Sequence, residues 1–189
     1  MRQLLIALLL STLPLTTSAD DLIAHPIVEL QTTEGKIVLE LDTKRAPLTV
    51  RNFVKLVRSG YYNGTIFHRI ARGFVVQGGG YNTKYESKES EQELPNESGN
   101  GLRNERGTVA MARLEYPHSA NAQFFINIKD NPHLDPNPDQ WGYTVFGEVI
   151  EGMDIIDLIS NFPTGPGGHL SSEVPLLPIV INKALVTSD

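Results

Sequence analysis

The sequence predicts a mainly β domain that closes into a barrel and carries two helices. Short runs of alternating apolar residues recur along the chain, bounded by turns and loops rich in Gly, Pro and Asn. Only two segments show helical spacing of apolar residues. No internal repeat or composition break marks a second domain. Many short strands with so few helices favour a closed barrel over an open sheet, because closure removes exposed strand edges.

The elements follow in order. Ile27–Gln31 alternates, with Val28 and Leu30 on one face, and Lys36–Asp42 alternates again with Ile37, Leu39 and Leu41 inward. Thr33-Glu34-Gly35 joins them as a hairpin turn. Pro47 suits a first helical turn, and Val50, Phe53, Val54 and Val57 follow at amphipathic spacing. Gly60 can end that helix at positive φ. Strands are expected at 65–70 and 73–77, then at 108–112, 123–129 and 143–149. Residues 81–106 are polar and aperiodic, and read as a long surface excursion. Residues 130–141 form a proline-rich loop. Residues 151–159 form a second helix, with Ile155, Leu158 and Ile159 on its buried side. Residues 161–175 are a Gly/Pro-rich loop, and 178–186 a closing strand.

Composition narrows the function. Of 189 residues, 40% are hydrophobic and 20% charged, which fits a globular domain with a sizeable core. The net charge of −6 argues against a nucleic-acid partner, which would need a basic surface. The absence of cysteine removes disulfides, thiol nucleophiles and thiolate metal sites. The five histidines lack metal-ligand spacing, so no metal is expected, and no motif of the chain calls for a cofactor. Gly78-Gly79-Gly80 follows a strand without the lysine and helix start of a phosphate loop, and reads as a bulge or close backbone packing.

The N-terminus reads as a secretory signal peptide over residues 1–19. Arg2 is followed by an apolar run, Leu4–Leu15, and then by the small residues Thr17-Ser18-Ala19. The run is shorter than the ~20 residues a spanning helix needs. Cleavage after Ala19 would remove one positive charge, taking −6 to −7. A short tether, 20–26, would then lead into a domain spanning 27–189, with no membrane attachment after cleavage.

Two blocks carry the functional signal. Phe67-His68-Arg69-Ile70 is followed by Gly73-Phe74-Val75-Val76-Gln77, and Met111-Ala112-Arg113 by Gln123-Phe124-Phe125-Ile126-Asn127. Together they resemble the active face of the cyclophilins, peptidyl-prolyl cis-trans isomerases, and the resemblance runs from about Ile27 to Val186. It implies an eight-stranded antiparallel barrel capped by a helix at each end. Proline isomerisation needs no nucleophile, proton abstraction or metal. Its barrier, ~20 kcal/mol, is the resonance of the amide, so catalysis requires a site that binds the twisted amide better than either planar form.

The resemblance assigns the parts. Arg69, a permanent cation, would donate to the prolyl nitrogen as its lone pair localises. Phe74, Met111, Phe125 and Leu134 would line the proline pocket. Gln77 and Gln123 would orient Arg69 or the substrate, the backbone of Ala112 and Arg113 would pair with the residue before proline, and Tyr143 would close the rim. Taken singly, each aromatic would more often be core than functional. The family's loop residue that is often tryptophan falls on His133, so cyclosporin binding should be weak. Arg113 stands where many members have asparagine, and would act mainly through its backbone; Tyr143 stands where many have histidine. These features resemble the bacterial secreted branch, which with the signal peptide implies a periplasmic or secreted protein. The expected partners are proline-containing unfolded or partly folded polypeptides, bound by a monomer. The rival readings are a proline-segment-binding module with little turnover and a structural envelope protein with a vestigial site.

Overall fold

A computed structural model of the chain describes residues 25–88, 90 and 92–188. The expected signal peptide, residues 1–19, and most of the expected tether lie outside the described residues. Pro26, assigned to the tether, is buried, and its carbonyl accepts the Leu41 N–H at 2.9 Å.

Among the described residues are ten strands and two α-helices: β1 (Ile27–Thr32), β2 (Lys36–Leu41), α1 (Pro47–Arg58), β3 (Thr65–Ala71), β4 (Val75–Asn82), β5 (Thr108–Met111), β6 (Phe124–Asn127), β7 (Val145–Glu151), α2 (Met153–Ser160), β8 (Thr164–Gly167), β9 (Leu170–Pro175) and β10 (Ile179–Val186). Eight of the strands close a barrel in the order β1-β10-β3-β4-β6-β5-β7-β2, with β2 returning to β1, and every pairing is antiparallel. The mainly β, closed barrel with two helices is what the pattern of the sequence predicts, and its eight strands are the number the resemblance implies.

The barrel interior is filled by alternate residues of these strands. Leu30, Ile37, Leu39, Leu41, Phe67, Phe124 and Phe146 belong to one buried cluster. Phe53 of α1 reaches into it, with ring centroids 5.0 Å from Tyr62, 5.1 Å from Phe146 and 5.5 Å from Phe124. Helix α1 begins with Pro47 as expected, but its free N–H groups are satisfied from a distance. Glu97 accepts from Leu48 N at 3.1 Å, Thr49 N at 2.8 Å and Thr49 Oγ1 at 2.6 Å. A carboxylate there also faces the positive end of the helix dipole.

Three expectations are corrected. Strand β4 starts at Val75 and runs on to Asn82, through the triple glycine, while Gly73 sits in the preceding turn at φ +68°. The glycines serve close packing: a Cβ on Gly78 would lie 2.7 Å from the Phe67 ring, and one on Gly80 would lie 2.4 Å from the Gln123 amide carbon. The buried stripe of α2 is Ile156, Ile159 and Ser160, whereas Leu158 is half exposed. The helix starts two residues later than the periodicity suggested, and Ile156, three residues from Ile159, takes the inward position. Finally, 161–175 is no plain loop. It contains the β8–β9 hairpin, which the Gly/Pro content concealed.

The 81–106 excursion is less superficial than its polarity implies. Leu94, Ser98 and Asn104 are buried. Leu94 N donates to Ala120 O at 2.8 Å, and Asn96 Nδ2 donates to Gly142 O at 2.9 Å.

Candidate active site

The site lies on the outer surface of β3, β4, β6 and β5. Strand alternation puts Val76, Met111, Phe124 and Ile126 inside the barrel and Val75, Ala110 and Phe125 outside. Arg69 needs an irregularity to join them. In a regular strand Phe67 and Arg69 would face the same way. The β3–β4 register pairs Phe67 with Gly78 and Arg69 with Gln77, leaving His68 as an extra residue. This bulge lets Phe67 point into the core while Arg69 lies on the outer face, a re-aiming that bulges often perform beside active sites.

His68 takes up the buried side of that bulge. Its ring meets Tyr81 edge-on, with centroids 4.7 Å apart, and its Nδ1 has no hydrogen-bond partner among the described residues. Burial drives its pKa down from 6.5 to about 4; a hydrogen bond with the Ile66 backbone opposes this, and the Arg69 charge adds to it. His68 is therefore neutral at pH 7 and adds no second cation beside Arg69.

The guanidinium of Arg69 is held from two sides. Nε donates to Glu173 Oε2 at 2.7 Å, and Nη1 donates to Gln77 Oε1 at 3.4 Å. Gln77 Nε2 in turn donates to Gln123 Oε1 at 3.0 Å. Arg69 and Gln77 form the polar edge of a pocket of about 180 Å³, with Phe74, Val75, Ala112, Arg113, Phe125, Leu134 and Tyr143 as the remaining walls. Phe125 and Tyr143 meet edge-on at 5.6 Å. A small ring could sit against this apolar wall with a cationic donor at its edge.

The rim is carried by loops fastened with buried amides. Leu134 lies in a short 3-10 turn, Pro132–Leu134. Its N–H donates to Asn131 O at 2.9 Å, and its carbonyl accepts from Tyr143 N at 2.9 Å. Asn131 Nδ2 donates to Asn127 Oδ1 at 2.8 Å and to Phe74 O at 3.2 Å. Asn127 donates to Asn104 Oδ1 at 3.2 Å, and Asn104 Nδ2 to Asp135 Oδ1 at 2.9 Å. Asn104, Asn127 and Asn131 are all buried and tie the 81–106 segment to the pocket rim. Sequence reasoning gave none of them a role, since Asn104 and Asn131 lie in segments read as loops and Asn127 stands in the second block without a named partner.

Ten of the eleven residues singled out in the sequence come together at or beside the pocket. Met111 does not: it is 1% exposed, pairs with Phe124 and points into the barrel core. Strand alternation requires this once Ala110 and Ala112 face outward, and Val75 supplies the wall instead. Gln123 lies in an adjoining hollow of about 280 Å³, which shares Gln77, Ala112 and Arg113 with the pocket. His133 is exposed and stacks on Phe74 with centroids 5.4 Å apart, backing the wall rather than forming it. The Arg113 side chain is engaged as well. It lies over the Tyr143 ring at 4.5 Å and donates to Trp141 O at 2.9 Å. Ala112 N–H already donates to Gln123 O at 2.9 Å, which leaves donation to a bound peptide to other groups. Glu173 was overlooked because the hairpin that carries it read as a loop. A larger hollow of about 360 Å³, between Ser98–Gly99 and residues 136–141, has no cationic donor on its walls.

Comparisons with known proteins bear on the family and the fold. The family model described as cyclophilin type peptidyl-prolyl cis-trans isomerase/CLD matches residues 27–186. Peptidyl-prolyl cis-trans isomerase cyp18 of Streptomyces antibioticus is 51% identical over 163 residues, 84% of this chain and 97% of that protein. Peptidyl-prolyl cis-trans isomerase B of Escherichia coli K12 is 44% identical over 164 residues, 85% of this chain and 99% of that protein. A crystal structure of a Cryptosporidium parvum cyclophilin type peptidyl-prolyl cis-trans isomerase, in the presence of the dipeptide Ala-Pro, has a TM-score of 0.74 at 29% identity. It covers 86% of this chain and 99% of that one. With its barrel, its outer-face pocket and these matches over nearly its whole described length, the chain belongs to the cyclophilin-type peptidyl-prolyl cis-trans isomerases.

Proposed function

We propose that this chain accelerates X–Pro isomerisation in exported, unfolded or partly folded polypeptides, with Arg69 as the group that stabilises the twisted amide. The proline ring enters the pocket between Phe74, Phe125, Leu134 and Tyr143. As the amide twists, resonance is lost and the nitrogen regains a lone pair. An N–H of Arg69 donates to that lone pair, which the planar forms do not offer, so the bond favours the transition state over either ground state. Water is displaced from the apolar wall, which strengthens the same bond.

The observation that supports this reading most is the Arg69 guanidinium, fixed from two sides beside the apolar wall of Phe74, Val75, Phe125 and Leu134. The test is NMR exchange on an X–Pro peptide with protein beginning at Asp20. Wild type should accelerate exchange, and Arg69→Ala should lose about 10²- to 10³-fold, the usual cost of removing one transition-state donor. No acceleration by wild type, with peptide still bound, would favour a proline-segment-binding module instead.

Export is supported by the Arg2, Leu4–Leu15 and Thr17-Ser18-Ala19 pattern. Protein recovered from the periplasm should begin at Asp20; protein retaining Met1 in the cytosol would contradict this. His133 in the rim supports weak cyclosporin binding, and we expect a monomer.

A further inference from the structure

Arg69 has one charged neighbour that the proposed chemistry does not use. Glu173 comes from β9 of the β8–β9 hairpin, outside the eight barrel strands, and its Oε2 lies 2.7 Å from Arg69 Nε. The two side chains are 37% and 42% exposed, and an ion pair that open to solvent adds little to stability. Yet Glu173 holds a left-handed backbone, φ +60°, one of two non-glycine residues to do so among the described residues. Such a conformation strains any residue with a Cβ, and it persists only where the surroundings impose it. A weak surface pair does not explain a strained backbone at a charged residue. Aiming a guanidinium does.

The guanidinium is planar, with five N–H donors in a fixed fork. Glu173 takes the Nε edge and Gln77 takes one hydrogen of Nη1. Two acceptors at different points of the fork fix both its position and its plane, and Nη2 remains for the pocket. Without Glu173, the 3.4 Å bond to Gln77 is the one side-chain hydrogen bond among the described residues left to oppose rotation of this long side chain toward solvent. The hairpin that delivers the carboxylate is itself held in place. Tyr85, the other left-handed non-glycine residue, packs its ring so close to Gly167 and Gly168 that a Cβ on either would lie 3.1 or 2.8 Å from it. Leu176 N donates to Pro163 O at 3.0 Å across the hairpin base.

We propose that Glu173 is a positioning residue for the isomerase reaction: it orients Arg69 for donation into the pocket and does not itself touch substrate. The inference rests on the reading that Arg69 is the catalytic donor. The test compares wild type with Glu173→Ala, Glu173→Gln, Glu173→Gly and Arg69→Ala, each beginning at Asp20. Turnover at saturating X–Pro peptide, peptide Kd, Tm and the ¹⁵N shift of Arg69 Nε are measured for each. Glu173→Ala should lose turnover about tenfold or more, since small misplacement of a reacting group costs rate steeply, with Kd changed less than about twofold and the Arg69 Nε signal shifted. Glu173→Gln, which keeps an oxygen at the same reach, should recover most of the turnover. Glu173→Gly relieves the left-handed strain, so its Tm should match or exceed wild type while turnover still falls. A purely structural role would show the reverse: lower Tm with turnover per folded molecule intact. Full turnover in Glu173→Ala and Glu173→Gly, with Arg69→Ala inactive, would overturn this inference and leave the Arg69 reading standing. Full turnover in Arg69→Ala would overturn both.

Discussion

Strands β4, β5 and β6 present two faces that answer to different demands. The inner face carries Val76, Met111, Phe124 and Ile126, each at most 1% exposed. It is entirely apolar, and its aromatic rings meet edge-on across the barrel, Phe124 with Phe53 at 5.5 Å and with Phe67 at 6.1 Å. The outer face of the same strands mixes Val75 and Phe125 with Gln77, and neighbours Arg69 and Tyr143. One face is packed to exclude everything; the other leaves a pocket and keeps polar groups pointed at it. Function here does not require a separate domain. It uses the half of each strand that closure of the barrel leaves free.

The division predicts where damage should appear. The largest effect on stability should come from Phe124→Ala, about 3–5 kcal/mol by urea unfolding, as expected for truncating a fully buried aromatic. Exchange per folded molecule should change little; a large loss of turnover in the folded fraction would show that the two faces are coupled.

The bulge at His68 joins the faces and gives the next effect. Its pKa is about 4 when folded and 6.5 when free, so the unfolded chain takes up the proton first. The stability this burial preserves is complete above pH 6.5 and falls as pH drops toward 4, by on the order of 3 kcal/mol. His68→Gln should remove that share of the slope, read as the difference between wild-type and variant unfolding curves across this range. An unchanged difference would mean that His68 is not buried as a neutral group.

A smaller effect should follow Arg113→Ala on the outer face. It removes a cation over the Tyr143 ring and the bond to Trp141 O. Peptide affinity should weaken about three- to tenfold, in line with a contact of ~0.5–1 kcal/mol plus a loosened rim, with turnover at saturation nearly unchanged. A loss of turnover instead would give Arg113 a part in the chemistry.

Much of this was legible in the sequence, for reasons the residues make plain. Strand and helix periodicity exposed the barrel elements and α1, because a buried face leaves a pattern of two or 3.6. The paired blocks around Arg69 and Phe125 exposed the outer face. Met111 was misplaced because residue type was read without strand parity; its neighbours Ala110 and Ala112, on the other face, could have corrected it. The β8–β9 hairpin escaped because Thr164–Gly167 is half glycine and shows no alternation. Glu173 went with it, since its partner is 104 residues away and nothing local announces an ion pair. The asparagine chain through Asn104, Asn127 and Asn131 is likewise a tertiary fact, visible only when two loops meet the end of β6.

The most direct test of the central claim is the turnover of Arg69→Ala at saturating X–Pro peptide, measured together with its Kd and unfolding free energy. Turnover should fall about 10²- to 10³-fold while Kd moves by less than about tenfold and stability by less than about 1 kcal/mol, because Arg69 is half exposed and acts in the transition state. Wild-type turnover in this variant would contradict the account, whatever its affinity or stability.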